Sequence, residues 1–155
     1  MTVEVEVTGD LFGLLQTRII QLATDGALSS TLHGSGVVMC TPQSGVVVKA
    51  SMSYVALDSD PAVPEQIARL LAAWPLAGWR GTVWSAVDSS SVLWRSFTTL
   101  PRSDTMLSAL FRALADTIGA NALKEIWQPA QHNTLWTDAV AKMKSAAHQV
   151  AQRSL

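Results

Sequence analysis

The chain has 155 residues, enough for one domain that buries ~70% of its unfolded surface without disulfides or metals. Hydrophobic residues make up 48% and charged residues 15% of the chain, against a usual charged share of about 25%. An unusual part of the surface is therefore uncharged, and such surfaces tend to be covered by a partner, which predicts a dimer or a binding protein. The net charge of −1 offers no basic field and argues against a nucleic-acid partner.

Cysteine usage and the N-terminus predict a cytoplasmic protein. The single cysteine, Cys40, lies in the apolar run 37–40 and is predicted to be a buried strand residue in a reducing compartment. The first ten residues are acidic and have no apolar core, so they are not a secretion signal. No apolar run reaches transmembrane length, which predicts a soluble protein with no membrane insertion.

The N-terminal half predicts a strand, a helix and three further strands. Residues 2–8 alternate valine with glutamate, which is typical of a strand. Asp10 precedes apolar residues at helical spacing and predicts a first helix that runs to about Leu22 and stops at Gly26. Three strands are predicted next, at 27–32, 36–41 and 46–57, with turns at 33–36 and 42–45.

The C-terminal half predicts a second helix followed by a hairpin. Apolar residues between Ile67 and Trp74 recur at helical spacing, and Pro75 ends the pattern. Two β-rich runs, Thr82 to Val87 and Val92 to Leu100, are joined by the small polar residues 88–91. Two extended runs joined by a short polar turn are typical of a hairpin.

Two more helices complete the predicted fold. Met106 to Ile118 carry one apolar stripe, and Asn133 or Thr134 can cap a last helix that runs to about Arg153. The predicted fold is α+β, in the order helix, three strands, helix, two strands, helix, with an antiparallel sheet packed with helices. An extra C-terminal helix follows. We expect a single domain over 1–155, with a core at about 10–127 and a helical extension at about 133–153.

Motifs that carry chemistry are not found in the sequence. The three histidines lie far in sequence from any cluster of acids, so no zinc site is predicted; they are His33, His132 and His148. Asp58 and Asp60 are followed by residues without further side-chain oxygens for calcium. Cys40 and His33 could act as nucleophile and base, but an apolar strand disfavours the thiolate. Phosphate-binding glycine loops and serine elbows do not occur, so we expect no cofactor, no metal and no enzyme activity.

Four segments, taken in order, resemble the class I type III secretion chaperones. They are Leu11 to Leu15, Leu70 to Trp74, Trp84 to Asp88 followed by Val92 to Arg95, and Leu100-Pro101 followed by a closing helix with Leu107, Leu110, Leu114 and Trp127. The resemblance covers about Asp10 to Trp127. It implies a cytoplasmic homodimer that binds the extended N-terminal segment of a secreted effector protein and keeps it secretion-competent without ATP. The near-neutral charge and the extra helix depart from the family.

Two apolar surfaces are expected if the resemblance holds. A dimer interface is predicted on the second helix and the strand 82–87, with Leu71, Trp74 and Trp84 as contacts, because obligate interfaces are apolar. An effector strand would add to a sheet edge and bind the first helix and the mixed sheet face. The candidate effector-binding residues are Phe12, Ile20, Val38, Val47 and Val55.

Other classes of protein remain open at this point. One is a small adaptor or immunity-type protein that binds a folded partner. Another is an α+β domain that holds an apolar ligand in a pocket lined by tryptophans. An enzyme comes third, with no residue to nominate. Whether the last helix contacts the secretion machinery is also left open.

Overall fold

A computed structural model describes residues 2–41, 45–55, 62–76, 78–87, 124–128 and 137–153, together with Leu93, Ala113, Asp116 and Leu155. Within these residues the chain forms strands that build one sheet and helices that cover its two faces. The elements are β1 (Thr2–Val7), α1 (Leu11–Gln16), β2 (Ile19–Leu28), β3 (Leu32–Cys40), β4 (Val46–Val55), α2 (Ala62–Leu76), β5 (Thr82–Ala86), β6 (Lys124–Gln128) and α3 (Thr137–Arg153).

The sheet is mixed and has six strands in the order β1-β4-β3-β2-β5-β6. The pairs β1–β4, β4–β3 and β3–β2 are antiparallel, whereas β2–β5 and β5–β6 are parallel. The predicted antiparallel sheet is therefore wrong, and so is the predicted order of elements. Strands β1 and β4, helix α2, strand β5 and the last helix were predicted, with bounds that differ by a few residues.

Helices α2 and α3 lie on opposite faces of the sheet. Ile20 and Leu22 of β2 pack in the core cluster that includes α2, while Ala23 packs with Ala147 of α3. Successive side chains of a strand point to opposite faces, so this alternation assigns one helix to each face. The result is that β2 is covered on both sides.

Burial on both faces explains why the first helix was predicted to be too long. Asp10 is the N-cap as expected, and its Oδ1 accepts a hydrogen bond of 2.9 Å from the Gly13 N–H. The helix ends at Gln16, and the Thr17 hydroxyl donates to the Leu14 carbonyl at 2.7 Å. A strand buried on both faces carries a continuous apolar run, which short windows do not separate from a helical pattern.

The predicted hairpin is also wrong. Strand β5 has β2 on one side and β6 on the other, which leaves no edge of β5 for an antiparallel partner. Parallel strands are joined by long crossover connections and not by a tight turn, so β5 and β6 do not form a hairpin either. The run from Val92 to Leu100 and most of the predicted helix from Met106 lie outside the described residues. Strand β6 was missed, because Trp127 had been assigned to the closing helix.

Strand β3 is longer than the sequence predicted, and β2 occupies residues that were assigned mainly to the first helix. The separate strand at 27–32 is wrong, since Ala27 and Leu28 end β2 and Leu32 begins β3. The turn at 33–36 is wrong as well, because these residues pair along β3. None of the helices in the described ranges is long and apolar enough to cross a membrane.

A buried ion pair ties α2 to the parallel half of the sheet. Arg69 of α2 is completely buried and is bonded to the carboxylate of Glu125 on β6. Ser85 of β5 lies between them: its hydroxyl donates to Glu125 Oε1 at 2.8 Å and accepts from Arg69 at 3.4 Å. Burial lowers the pKa of Arg69 to about 9, so the guanidinium is still charged at neutral pH and needs its carboxylate partner.

This ion pair predicts a difference between single and double substitutions. Arg69→Ala leaves a buried carboxylate without its cation and should lower the free energy of unfolding by about 3–5 kcal/mol. The double variant Arg69→Met with Glu125→Leu removes both charges and should stay within about 1 kcal/mol of wild type or exceed it. Urea unfolding followed by circular dichroism measures both. Equal losses in the single and double variants would contradict the assignment.

Candidate active site

The carboxyl ends of the parallel strands β2, β5 and β6 lie at one edge of the sheet. The pairing of β2 with β5 runs from Ile19↔Thr82 to Ala23↔Ala86, and β2 continues to Leu28. Asp25 therefore lies just beyond the last residue of β2 that pairs with β5. In sheets with parallel strands, ligands bind outside the carboxyl ends of those strands.

The Asp25 carboxylate is held on both of its oxygens. Asp25 is buried, at 6% exposure, on the sheet face covered by α3. Its Oδ1 accepts from the Gly26 N–H at 3.0 Å, and its Oδ2 lies 2.7 Å from Nδ1 of His148 on α3. An ionised carboxylate only accepts hydrogen bonds, so His148 Nδ1 carries the hydrogen. The other side of the imidazole faces out, since the side chain is 55% exposed.

Gly26 and Ser35 hold the first turn of α2 against the opposite face. A Cβ at Gly26 would lie 2.7 Å from the Glu65 nitrogen and 2.8 Å from Pro64, a spacing that only glycine permits. Ser35 is the β3 partner of Gly26, and its hydroxyl donates to the Pro64 carbonyl at 2.7 Å in a buried hydrogen bond. These two contacts place Glu65, in the first turn of α2, next to the β2 segment that carries Asp25.

Gly36 of β3 allows α3 to pack closely against the other face of the sheet. It is the β3 partner of Asp25, and a Cβ there would lie 2.4 Å from the Ala147 carbonyl oxygen and 2.7 Å from the Ala151 nitrogen. Ala147 and Ala151 are fully buried, so small residues on both sides bring the helix onto the sheet. This close packing puts His148 within reach of Asp25.

The end of β5 is fixed by a tryptophan from β6. The Trp127 indole Nε1 donates to the Val87 carbonyl at 3.0 Å. Val87 is fully buried, and the next residue in the chain is Asp88. Asp88 itself lies outside the described residues.

The resulting site is acidic and contains one imidazole. Asp25 and Glu65 supply carboxylates, the hard oxygen ligands that divalent cations such as Mg²⁺ prefer. Across the described parts of the chain, no group of three or more His, Cys, Asp or Glu is placed to hold a metal ion. A third donor would have to come from a residue outside those parts.

The residues predicted to contact partners are spread through the molecule. Ile20 and Val47 are buried in the core under α2, and Val38 in the core under α3. Phe12 of α1 and Val55 at the end of β4 are exposed, at 75% and 67%. The structure therefore does not bring these five residues together on one surface. As contacts with a protein partner they stay predictions.

The predicted dimer contacts lie on two elements. Leu71 of α2 is partly buried and packs against the core, and Trp84 of β5 is half-buried. Trp74 belongs to α2, but its side chain lies outside what the structure describes. These contacts too remain predictions.

His33 and Cys40 do not form a nucleophile and base pair. His33 is buried with residues facing α2 and packs edge-on against Tyr54, with ring centroids 5.3 Å apart. Cys40 belongs to the core cluster on the α3 face, and its thiol donates to Gln21 Oε1 at 3.3 Å. The two side chains thus point to opposite sides of β3.

Solved structures that share this fold are RNase H domains. The protease-reverse transcriptase of prototype foamy virus matches 89% of this chain with a TM-score of 0.58 and 15% identity, and the chain spans 21% of that viral protein. RNase H1 from the archaeon Halobacterium salinarum has a TM-score of 0.55 and 14% identity over 87% of this chain and 98% of its own. LC11-RNase H1, solved with an RNA/DNA hybrid, has a TM-score of 0.57 and 15% identity over 87% and 98%. No family model and no curated protein matches.

These neighbours show an RNase H-like fold and correct several predictions. The resemblance to type III secretion chaperones is wrong, and with it the effector partner and the chaperone homodimer. The adaptor and apolar-ligand alternatives gain no support either. The expectations of no enzyme activity and no nucleic-acid partner are contradicted as well. The neighbours that share this fold include enzymes named RNase H1, one of them solved with an RNA/DNA hybrid, and a foamy viral protease-reverse transcriptase solved with a hybrid and with double-stranded DNA.

Sequence reasoning missed Asp25, Glu65 and His148 as a group. Asp25-Gly26 had been interpreted as the end of a helix, although an acid followed by glycine inside the apolar run 19–28 is a signal for a buried functional carboxylate. His148 had been set aside because no acid lies near it in sequence. The pairing of residues 123 positions apart depends on how α3 crosses the sheet.

The glycine contact at α2 predicts a position-specific effect of an added methyl group. Gly26→Ala should push the first turn of α2 away from β2 and lower the free energy of unfolding by about 1–3 kcal/mol. Gly45→Ala is the matched control, since a Cβ there meets nothing within 4 Å and should change stability by less than about 0.5 kcal/mol. Chemical unfolding of both variants tests the contact. A harmless Gly26→Ala would show that the close approach does not constrain α2.

Burial of the thiol predicts a loss of stability at alkaline pH. Burial raises the pKa of Cys40 to about 11, whereas an unfolded thiol titrates near 8.5. As pH rises from about 8 to 10 the unfolded chain loses this proton first, so the free energy of unfolding should fall by about 2 kcal/mol. Urea unfolding of wild type and Cys40→Ala over this range isolates the effect, because other groups titrate in both. Parallel pH curves would refute it.

Proposed function

We propose that this chain is a hydrolase of the RNase H kind that cleaves the RNA strand of an RNA/DNA hybrid. The observation that carries the proposal is the placing of Asp25 and Glu65 around one strand segment at the carboxyl edge of the parallel strands. Gly26 and Ser35 hold the backbone at Pro64 and Glu65, and His148 contacts the carboxylate of Asp25. Acids placed at the carboxyl ends of parallel strands are candidates for chemistry.

The fold comparison supports the substrate class. LC11-RNase H1 and the foamy virus protein were each solved with an RNA/DNA hybrid, and each shares this fold. The foamy virus protein was also solved with double-stranded DNA, so duplex DNA is the competing substrate to test. We choose the hybrid because RNase H1 from Halobacterium salinarum and LC11-RNase H1, each matched over 98% of its own length, are ribonucleases by name.

A divalent cation fits the residues of the site. Asp25 and Glu65 are oxygen donors, and Asp88 is the next carboxylate after the end of β5. In the sequence Asp88 follows Ala86 by two residues, as Asp25 follows Ala23, the register partner of Ala86; on this spacing we propose Asp88 as a third ligand. A bound Mg²⁺ would supply charge for the phosphoryl oxygen and lower the pKa of an attacking water.

Contacts within the chain hold the acids of the proposed site in position before substrate binds. The Gly26 N–H and the imidazole of His148 fix the rotamer of Asp25, so little freedom has to be lost when substrate arrives. Ser35 holds the backbone of α2 one residue before Glu65. Trp127 holds the carbonyl of Val87 one residue before Asp88. Asp25 and Glu65 are thus each supported by a contact at their own residue or at the residue before it.

We also propose that residues 1–155 act as one cytoplasmic domain. Helix α3 packs on β2 and β3, the strands that also carry α2, which supports one folding unit rather than a core with an appendage.

The proposal predicts that removing one charge from the site abolishes hydrolysis. Asp25→Asn, Glu65→Gln and Asp88→Asn should each lower kcat on an RNA/DNA hybrid by at least about 100-fold, because each removes a negative oxygen ligand. Cleavage of a 5′-labelled RNA strand in the hybrid, with Mg²⁺ present, measures the effect. The same strand in duplex RNA, and the same sequence in duplex DNA, report the selectivity.

A matched control is Asp10→Asn. Asp10 is an exposed carboxylate that caps α1, and asparagine is an equally good cap, so activity and stability should be unchanged. Wild-type protein that leaves the hybrid intact would refute the function. An Asp88→Asn variant with full activity would remove Asp88 from the site and leave the other two acids.

A further inference from the structure

We propose that His148 is a positioning residue for Asp25. His148 belongs to the last helix, α3, and sets the orientation of the Asp25 carboxylate on β2. The inference rests on the proposed function, because it concerns the same site. Its geometric basis is the bond of 2.7 Å between His148 Nδ1 and Asp25 Oδ2. His148 reaches this carboxylate from α3, an element far along the chain from β2.

The bond to His148 and the bond to Gly26 together fix both oxygens of the carboxylate. Oδ2 accepts the imidazole N–H, and Oδ1 accepts the Gly26 N–H, so rotation about the carboxylate axis would break both bonds. Each oxygen still has a second lone pair that can bind a cation. His148 therefore selects one rotamer of Asp25 without using up its ability to act as a ligand.

The residues that pack α3 onto the sheet are different from His148, which contacts Asp25. The helix is held to the sheet by Ala147, Val150 and Ala151, which are buried, and by the close approach at Gly36. The His148 side chain is 55% exposed and adds little to that packing. What the His148 side chain contributes is therefore its bond to Asp25 and little packing area.

Residues that hydrogen-bond to metal ligands affect metal affinity and catalytic activity. Their removal typically costs about 10–100-fold in metal affinity or activity, because the ligand loses its orientation and not its charge. We therefore expect His148→Ala to lower kcat and Mg²⁺ affinity each by about 10-fold. The KM for the hybrid should stay unchanged, since the substrate contacts remain.

Three variants distinguish positioning from structure. His148→Ala removes the donor, whereas His148→Asn keeps an N–H at the same number of bonds from the backbone as Nδ1. Gln149→Ala is the matched control at the neighbouring exposed position of α3. Helix propensity favours alanine over asparagine, so a purely structural role predicts that the Ala variant is at least as good as the Asn variant. Positioning predicts the opposite order.

The experiment measures kcat and KM on the hybrid, Mg²⁺ affinity by isothermal titration calorimetry, and melting temperature, for wild type and the three variants. Support would be wild-type values for Gln149→Ala, near wild-type values for His148→Asn, and the 10-fold losses for His148→Ala with an unchanged melting temperature. Alanine and asparagine variants that both match wild type would overturn the role of His148 and leave the proposed function intact. A wild-type protein that neither cleaves the hybrid nor binds Mg²⁺ would overturn the proposed function itself, and this inference with it.

Discussion

Two neighbouring residue pairs between β2 and β3 determine the rest of the structure. Asp25 pairs with Gly36 and Gly26 pairs with Ser35, so side chains of the two pairs alternate between the faces of the sheet. On one face Gly26 and Ser35 hold α2, and on the other Gly36 holds α3. Shifting this register by one residue would turn Asp25 toward α2 and put a Cβ against each helix. The register of one strand pair is thus the constraint on which both helices and the acidic site depend.

The buried ion pair adds a second constraint on α2. Arg69 lies one turn after Glu65, and its contacts with Ser85 and Glu125 reach across β5 to β6. A fully buried guanidinium is unfavourable unless its partners are in place, so α2 is held in the one position where all three side chains meet. Gly26 fixes the backbone of the first turn at Pro64 and Glu65, and Arg69 fixes the helix one turn later. The backbone that carries Glu65 is therefore held at both ends of this turn.

Local patterns predicted several elements, and non-local contacts explain the errors. Alternation identified β1, and the N-cap Asp10 identified the start of α1, because both signals are carried by neighbouring residues. The sequence pattern could not show that β2 is covered on both faces. It also could not show that β5 takes a parallel partner on each side, since this depends on a crossover connection.

The candidate site was harder to predict than the fold. Gly26 and Gly36 look like turn residues until the helices that press on them are known. His148 lacks a nearby acid in sequence, and its partner comes from a strand near the start of the chain. The net charge of −1 pointed away from nucleic acid because it averages over the whole surface and says nothing about a local edge. Asp25 itself looked like a helix terminus because the buried strand around it has a helix-like apolar pattern.

The position of α3 at the end of the described chain also governs how the molecule is made. Strands β2, β3 and β4 form a meander of short sequence separation, which can assemble as soon as these residues leave the ribosome. Until α3 follows, Ala23, Val38 and Cys40 lack the cover that Ala147 gives them on their face of the sheet. This cover is added only when the last described helix is made. Covering that surface and bringing His148 to Asp25 are one and the same event, so the chain gains protection from aggregation and a complete site at the same moment.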